Sequence, residues 1–200
     1  VLARRGSLGE PAWEIALLFP EQGTWSEEEY LSLHTNRLVE FCDGRIEVLP
    51  VPTDFHQTIV AFLYLAVHEF ITPRKLGKVL FSPLRVRLWK GRIREPDVVF
   101  LFAKNKHRIN KYWNGADLAM EVVSEDDPDR DWKTKRAEYA KAGIGEYWIV
   151  DPRDETITVL TLGKGRKTYR VAGKYRRGQQ AASVLLQGLV IDVAAAFAGE

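Results

Sequence analysis

Cysteine is nearly absent from this sequence: Cys42 is the single one among 200 residues. That excludes an intrachain disulfide framework and a multi-cysteine zinc site, and it suits a reducing cytoplasm. Long apolar runs are missing too. None approaches the roughly 20 residues a membrane span needs, so no membrane partner is expected and the chain is expected to be cytoplasmic. The N-terminal VLARRGSLGEPAWEIALLFPEQG sets two arginines before an apolar patch, IALLF. That patch is too short for a signal h-region and lacks a small-residue cleavage site. Nor is there an excess of one charge: 29 Lys+Arg against 27 Asp+Glu leave a formal +2. Any polyanionic partner must therefore be argued from local clusters.

What is present is ordinary for a globular chain: 46% hydrophobic and 28% charged residues, enough for one domain with a sizeable core. Residues 1–24 are expected to form an irregular N-terminal arm and residues 25–200 a single domain. Ser26 with Glu29 three residues on makes a capping box for a helix in SEEEYLSLHTN. RLVEF and RIEVLPV flank Asp43-Gly44, a hairpin signal. DFHQTIVAFLYLAVHEF is the most apolar helical segment, capped by Thr53 or Asp54. KVLFSPLRVRLW and RIREPDVVFLF are two further expected strands around Lys90-Gly91. DLAMEVVS is a strand, DPDRDWKTKRAEYAKAGIG a helix ended by Gly143 or Gly145, and EYWIVD, TITVLTL and TYRVAG are strands. The mixed order points to an α/β (α+β) sheet with helices packed on it and antiparallel hairpins, not to a regular βαβ repeat.

Two carboxylates stand out. In DLAMEVVS, Leu118, Met120 and Val122 share one face while Ala119, Glu121 and Val123 share the other. Glu121 is the lone acid in a row built for packing, and an ionised group there needs a cationic or hydrogen-bonding partner. In REPDVVFLF, Pro96 marks a strand start and Asp97 stands at the mouth of an apolar run. Two acids on neighbouring strand ends are a fit for a divalent cation. Asp131, Lys135 and Tyr139 fall at i, i+4 and i+8, on one stripe of the following helix, and Asp131 can orient Lys135. If that helix packs over the sheet end, Lys135 meets Glu121 and Asp97. Two acids, a lysine and a metal suit phosphodiester hydrolysis. Taken singly, each has a plainer reading: a paired structural acid, a turn residue, a solvated lysine.

PDVVF, MEVVSEDD and DWKTKRAEYAKAGIGEYWIVDP together resemble the Uma family of restriction-endonuclease-like proteins, within the PD-(D/E)XK nuclease superfamily. CDGRIEVLPVPTDFHQTIV, SPLRVRL and QGLVIDVAAAFA extend the likeness over residues 25 to 199. The resemblance implies a restriction-endonuclease-like mixed sheet flanked by helices, with magnesium as cofactor and manganese as a substitute. It makes Asp97 and Glu121 the metal-binding carboxylates and Lys135 the active-site lysine. The superfamily's usual lysine, two residues after the glutamate, is replaced here by Val123, so the lysine must come from the helix. His56 matches a family histidine; it either hydrogen-bonds a loop or serves phosphate contact or proton transfer. Glu47 is either a further acid near the metal or an outward hairpin residue.

Cleaving DNA requires phosphate-positioning cations. Arg85 and Arg87 on one strand face are candidates, as are Lys104, Lys106 and Arg108, with Tyr112 and Trp113 able to stack on bases. The basic runs GKGRK and KYRRG are expected to be outward hairpin turns. The expected function is a metal-dependent DNA endonuclease, a homodimer by analogy with paired nicks. A non-catalytic binding module on the same fold, or a hydrolase of another phosphoester, are the rivals.

Overall fold

The computed structural model describes residues 20–35 and 37–199; the first 19 residues of the expected arm lie outside them. Helix α1 (Glu27–Ser32) begins at the expected capping box: Ser26 accepts from the Glu29 N–H, and the Glu29 carboxylate accepts from the Ser26 N–H. It stops at Ser32, short of the full SEEEYLSLHTN segment. Strands β1 (Val39–Cys42) and β2 (Arg45–Val48) pair with Cys42 opposite Arg45. Asp43 and Gly44 close that hairpin with φ of 45° and 81°, the turn that Asp-Gly favours. The Gly23 N–H donates to the Gly44 carbonyl, and Gln22 brackets Ile46, so residues 20–24 pack on the hairpin. Helix α2 (Asp54–Ile71) is capped by Thr53 and buries Ile59, Leu63 and Val67.

The two long segments around Lys90-Gly91 each make two strands where one was expected. The first gives β3 (Gly77–Phe81) and β4 (Val86–Trp89), the second β5 (Arg92–Arg94) and β6 (Val98–Phe102). Each segment leaves one sheet and enters the other at a proline, Pro83 or Pro96, which brings no N–H to a ladder. A short β7 (Trp113–Asn114) lies parallel to β4, completing a five-stranded sheet in the order β2-β1-β5-β4-β7. Trp113 is buried against Val86 and its neighbours, which takes it away from base stacking.

The larger sheet adds β8 (Leu118–Val122), β9 (Glu146–Asp151), β10 (Thr156–Thr161) and β11 (Arg170–Arg176). Its order is β11-β10-β9-β8-β6-β3, and β8 and β9 run parallel across a helical connection. Leu118, Met120 and Val122 pack with α2, whereas Ala119 and Val123 pack on the other face with Tyr139 and Tyr147. The alternation expected for β8 is therefore realised with both faces covered. Strands β12 (Gln180–Ala182) and β13 (Val190–Asp192) and helix α3 (Val193–Ala196) close the chain. Glu146 anchors this tail: it accepts from the Trp148 indole, the Ser183 hydroxyl and the Val184 and Leu185 N–H groups. The result is a mixed α/β fold, and no described helix is long and apolar enough to cross a membrane.

Candidate active site

The helix after the acidic turn is not regular. Residues Arg130–Lys135 form a wide π-helical turn, followed by an α-helical part, Arg136–Ala142, that ends on Gly143 at φ 79°. Such turns recur at functional positions because they re-aim side chains within a continuous helix. Here the helix lies over β8 and brings two groups onto Glu121. Lys135 Nζ is 2.9 Å from Glu121 Oε2, and the Tyr139 hydroxyl donates to Oε1. Lys135 also stands 3.0 Å from Asp131 Oδ1. Val123 points into the core on the same face as Glu121, and it is the helix lysine that reaches Glu121.

Asp97 comes from the neighbouring strand end. Its Oδ2 accepts from the Val122 N–H at 2.8 Å and lies 3.3 Å from His56 Nε2. His56 Nε2 is also 3.2 Å from the Val122 carbonyl, so α2 delivers the imidazole to the place where β6 and β8 end. Asp97 Oδ1 takes no hydrogen bond from a described residue. Asp97, His56, Asp131 and Lys135 line a cleft of about 320 Å³. Glu121, only 1% exposed, lies behind them.

Two carboxylates, Glu121 and Asp131, thus share one ammonium, and Asp97 stands beside His56. Burial, with repulsion from Asp97 and Asp131, pushes Glu121 up to about 8 despite the opposing Lys135. Asp131 is raised by burial as well, again against Lys135. Lys135 itself is held well above its ordinary value: burial works against its charge, but Glu121, Asp131, Glu40 and Asp97 outweigh it. For His56 too, burial works against the charged form, and Asp97 outweighs it, so the imidazole is raised.

The carboxylates of this cluster outnumber its cations and are hard oxygen donors, the ligand type that magnesium or manganese takes. Among the described residues no three His, Cys, Asp or Glu side chains form a ready-made cage. Magnesium does not require one, since it is commonly held by one or two carboxylates and keeps several waters. Asp97 and Glu121 are the pair that would hold it.

Beside the cleft lies a network that the sequence did not single out. Arg94, 2% exposed, forks onto Glu138 through Nε (2.7 Å) and a terminal nitrogen (3.0 Å). Its other terminal nitrogen reaches Glu40 at 2.6 Å and Glu47 at 2.8 Å. Arg130, at the cleft wall, binds Glu40 and Glu47 as well. Glu47 is therefore neutralised by arginines, and among the described residues it makes no hydrogen bond or ion pair that ties it to Asp97 or Glu121. Of this network the sequence offered only Glu47, as a further acid near the metal or an outward hairpin residue, and the structure gives it to the arginines.

The expected phosphate contacts lie elsewhere. Arg85 pairs with Glu95 at 3.5 Å, donates to the carbonyls of Tyr30, Leu31 and Leu33, and covers the Tyr30 ring. Arg87 pairs with Glu27 at 2.7 Å. Both are internal ties of the five-stranded sheet. Lys104, Lys106 and Arg108 follow the C-terminal end of β6, whereas Asp97 precedes its N-terminal end. A strand of that length spans about 17 Å, so these cations sit at the opposite end of the sheet from the cleft.

Comparison with known proteins agrees with this picture. A crystal structure from Anabaena variabilis ATCC 29413, described as a "putative nuclease belonging to DUF820", superposes with a TM-score of 0.73 at 17% identity, over 88% of this chain and 98% of that one. At that identity it shows a shared fold. A search of curated proteins finds no match. The sequence matches the Uma2 family, described as "Putative restriction endonuclease", over residues 27–194, and the chain belongs to that family.

Proposed function

We propose that this protein is a metal-dependent endonuclease that hydrolyses phosphodiester bonds in DNA. The observation that carries the reading is that Asp97 and Lys135 line one cleft, with Glu121 held by Lys135 directly behind it, in a chain of the Uma2 family. A divalent cation held by Asp97 and Glu121, magnesium or manganese, would supply an activated water and offset phosphate charge. The chain's own groups do the rest. Lys135 stays an ammonium because its carboxylate neighbours hold its proton. It serves as a fixed positive charge beside the reacting phosphate and not as a proton acceptor. Tyr139 and Lys135 together fix both Glu121 oxygens. His56 and the Val122 N–H fix Asp97. A homodimer belongs to the same reading, since two symmetric sites suit two nicks in a duplex.

The test is plasmid cleavage with magnesium by the Asp97→Asn variant, which removes one carboxylate charge at the half-buried cleft wall. Cleavage is expected to fall by at least about 100-fold with an unchanged circular-dichroism spectrum. Cleavage at the wild-type rate would overturn the assignment. Calorimetric titration with manganese is expected to show binding that Asp97→Asn weakens.

A further inference from the structure

The cleft cannot hold a polyanion by itself. Its cations, Arg130 and Lys135, are engaged by carboxylates, and Glu125, Asp126 and Asp127 stand at its wall. The densest run of cations that are not engaged lies along one edge of the larger sheet. Between Glu155 and Asp192 the chain has no acidic residue, yet it carries Lys164, Arg166, Lys167, Arg170, Lys174, Arg176 and Arg177. Lys174 pairs with Asp154 at 3.3 Å and Arg177 with Glu155 at 2.6 Å. The other five are exposed and make no ion pair or side-chain hydrogen bond with a described residue.

Strand register places them. β11 is the edge strand. Arg176 is level with Thr156 and hence with Asp151, at the cleft end. Arg170 is level with Thr161, Glu146 and Leu118, at the far end. Three strand spacings separate β11 from β8, about 14 Å, and β11 itself is about 20 Å long. A backbone that enters the cleft therefore meets Arg176 within a few nucleotides and can run along the edge, where the bulge opposite Val159 and Leu160 turns Arg170 to the other face, toward the Lys164–Lys167 loop. Charge on an edge strand also discourages pairing with other chains. That purpose needs one or two charges of either sign, not five unpaired cations in an acid-free run of chain.

We propose that β11 and the loop before it form the track that binds the nucleic-acid phosphate backbone. The proposal rests on the nuclease reading for its partner. The test is anisotropy of a short labelled DNA duplex with the full chain in EDTA across a salt series, with an RNA duplex in parallel to separate the two backbones. The variant combines Lys164→Gln, Arg166→Gln, Lys167→Gln, Arg170→Gln and Arg176→Gln. Its affinity is expected to fall more than about tenfold, and the slope of log K against log salt to flatten by about 0.9 for each phosphate no longer neutralised. The triple variant Lys104→Gln, Lys106→Gln, Arg108→Gln is expected to bind like wild type. Unchanged affinity and slope in the fivefold variant would overturn the track, as would loss of binding to anionic phospholipid vesicles with DNA binding intact. Duplex binding lost in the variant of a protein that never cuts would keep the track and sink the nuclease. Cleavage with unchanged KM in the variant would do the reverse.

Discussion

Glu40 has no exposed surface, yet it stays ionised. Burial alone would raise its carboxyl, but Lys135, Arg94 and Arg130 outweigh burial and pull it down to about 2. A carboxyl depressed on folding contributes stability above its unfolded value, near 4.5, and that contribution is lost as pH falls through the folded value. For Glu40 the window is pH 4.5 to 2, and the contribution at neutral pH is roughly 3 kcal/mol. Glu40→Gln is expected to be less stable than wild type at pH 7, with the gap closing as pH falls toward 2. Urea midpoints measured across that range check it, and a gap independent of pH would refute it. The contrast with Glu121 shows what sequence can reveal about single residues. Glu121 was legible because an acid in an apolar strand is an anomaly, and Lys135 because its spacing from Asp131 and Tyr139 is helical. Arg130 and Glu40 were not, since a charged residue in a polar helix turn or beside a hairpin looks solvated. Only the approach of the smaller sheet to that turn pairs them with each other, with Glu47 and with Arg94.

The helix that carries Lys135 was expected as a regular one, with Asp131, Lys135 and Tyr139 on a single stripe. The three do face one another, Asp131 on Lys135 and both Lys135 and Tyr139 on Glu121, but a wide turn also places Arg130 on Glu40 and the Trp132 indole on Asp151 at 3.1 Å. Nothing in DPDRDWKTKRAEY announces such a turn, because it follows from what the flanking strands demand of the helix. Deleting the exposed Thr134 would let the turn close to α geometry and swing Arg130–Trp132 by about 100° relative to Lys135. Cleavage is expected to be lost while far-UV helical signal persists, and wild-type activity in the deletion would show the wide turn to be incidental. The strands tell a similar story. KVLFSPLRVRLW runs from a short apolar stretch into alternating residues with no clear break but Ser82-Pro83, and Pro83 was the signal that two strands begin there. The Asp43-Gly44 hairpin and the Ser26 capping box, by contrast, depend only on neighbours in sequence and were fully legible.

The two sheets are joined by β3–β4 and β5–β6, and the guanidinium groups of Arg92, Arg94 and Arg130 tie the smaller sheet to the helix that covers the larger one. Arg94 lies on β5 of the smaller sheet, takes Glu40 and Glu47 from its neighbours, and forks onto Glu138 of the helix that carries Lys135. The smaller sheet, which contributes neither Asp97 nor Glu121, therefore helps hold the helix of Lys135 in place. No local pattern could disclose this, since the partners lie 44 to 54 residues apart. Removing one side of a buried charge pair leaves the other uncompensated, so Arg94→Met is expected to cost roughly 3–5 kcal/mol. Glu138→Gln should cost less, because Arg94 keeps two carboxylates. In the double variant the losses should fall short of the sum by about 0.5–3 kcal/mol, as measured by urea unfolding. If Arg94 positions the helix and does not merely stabilise the fold, Glu138→Gln will also lower kcat for DNA cleavage under conditions where the variant is fully folded, with KM little changed. Additive stabilities together with wild-type kcat would mean that the two sheets are energetically independent, and that Lys135 is set by the larger sheet alone.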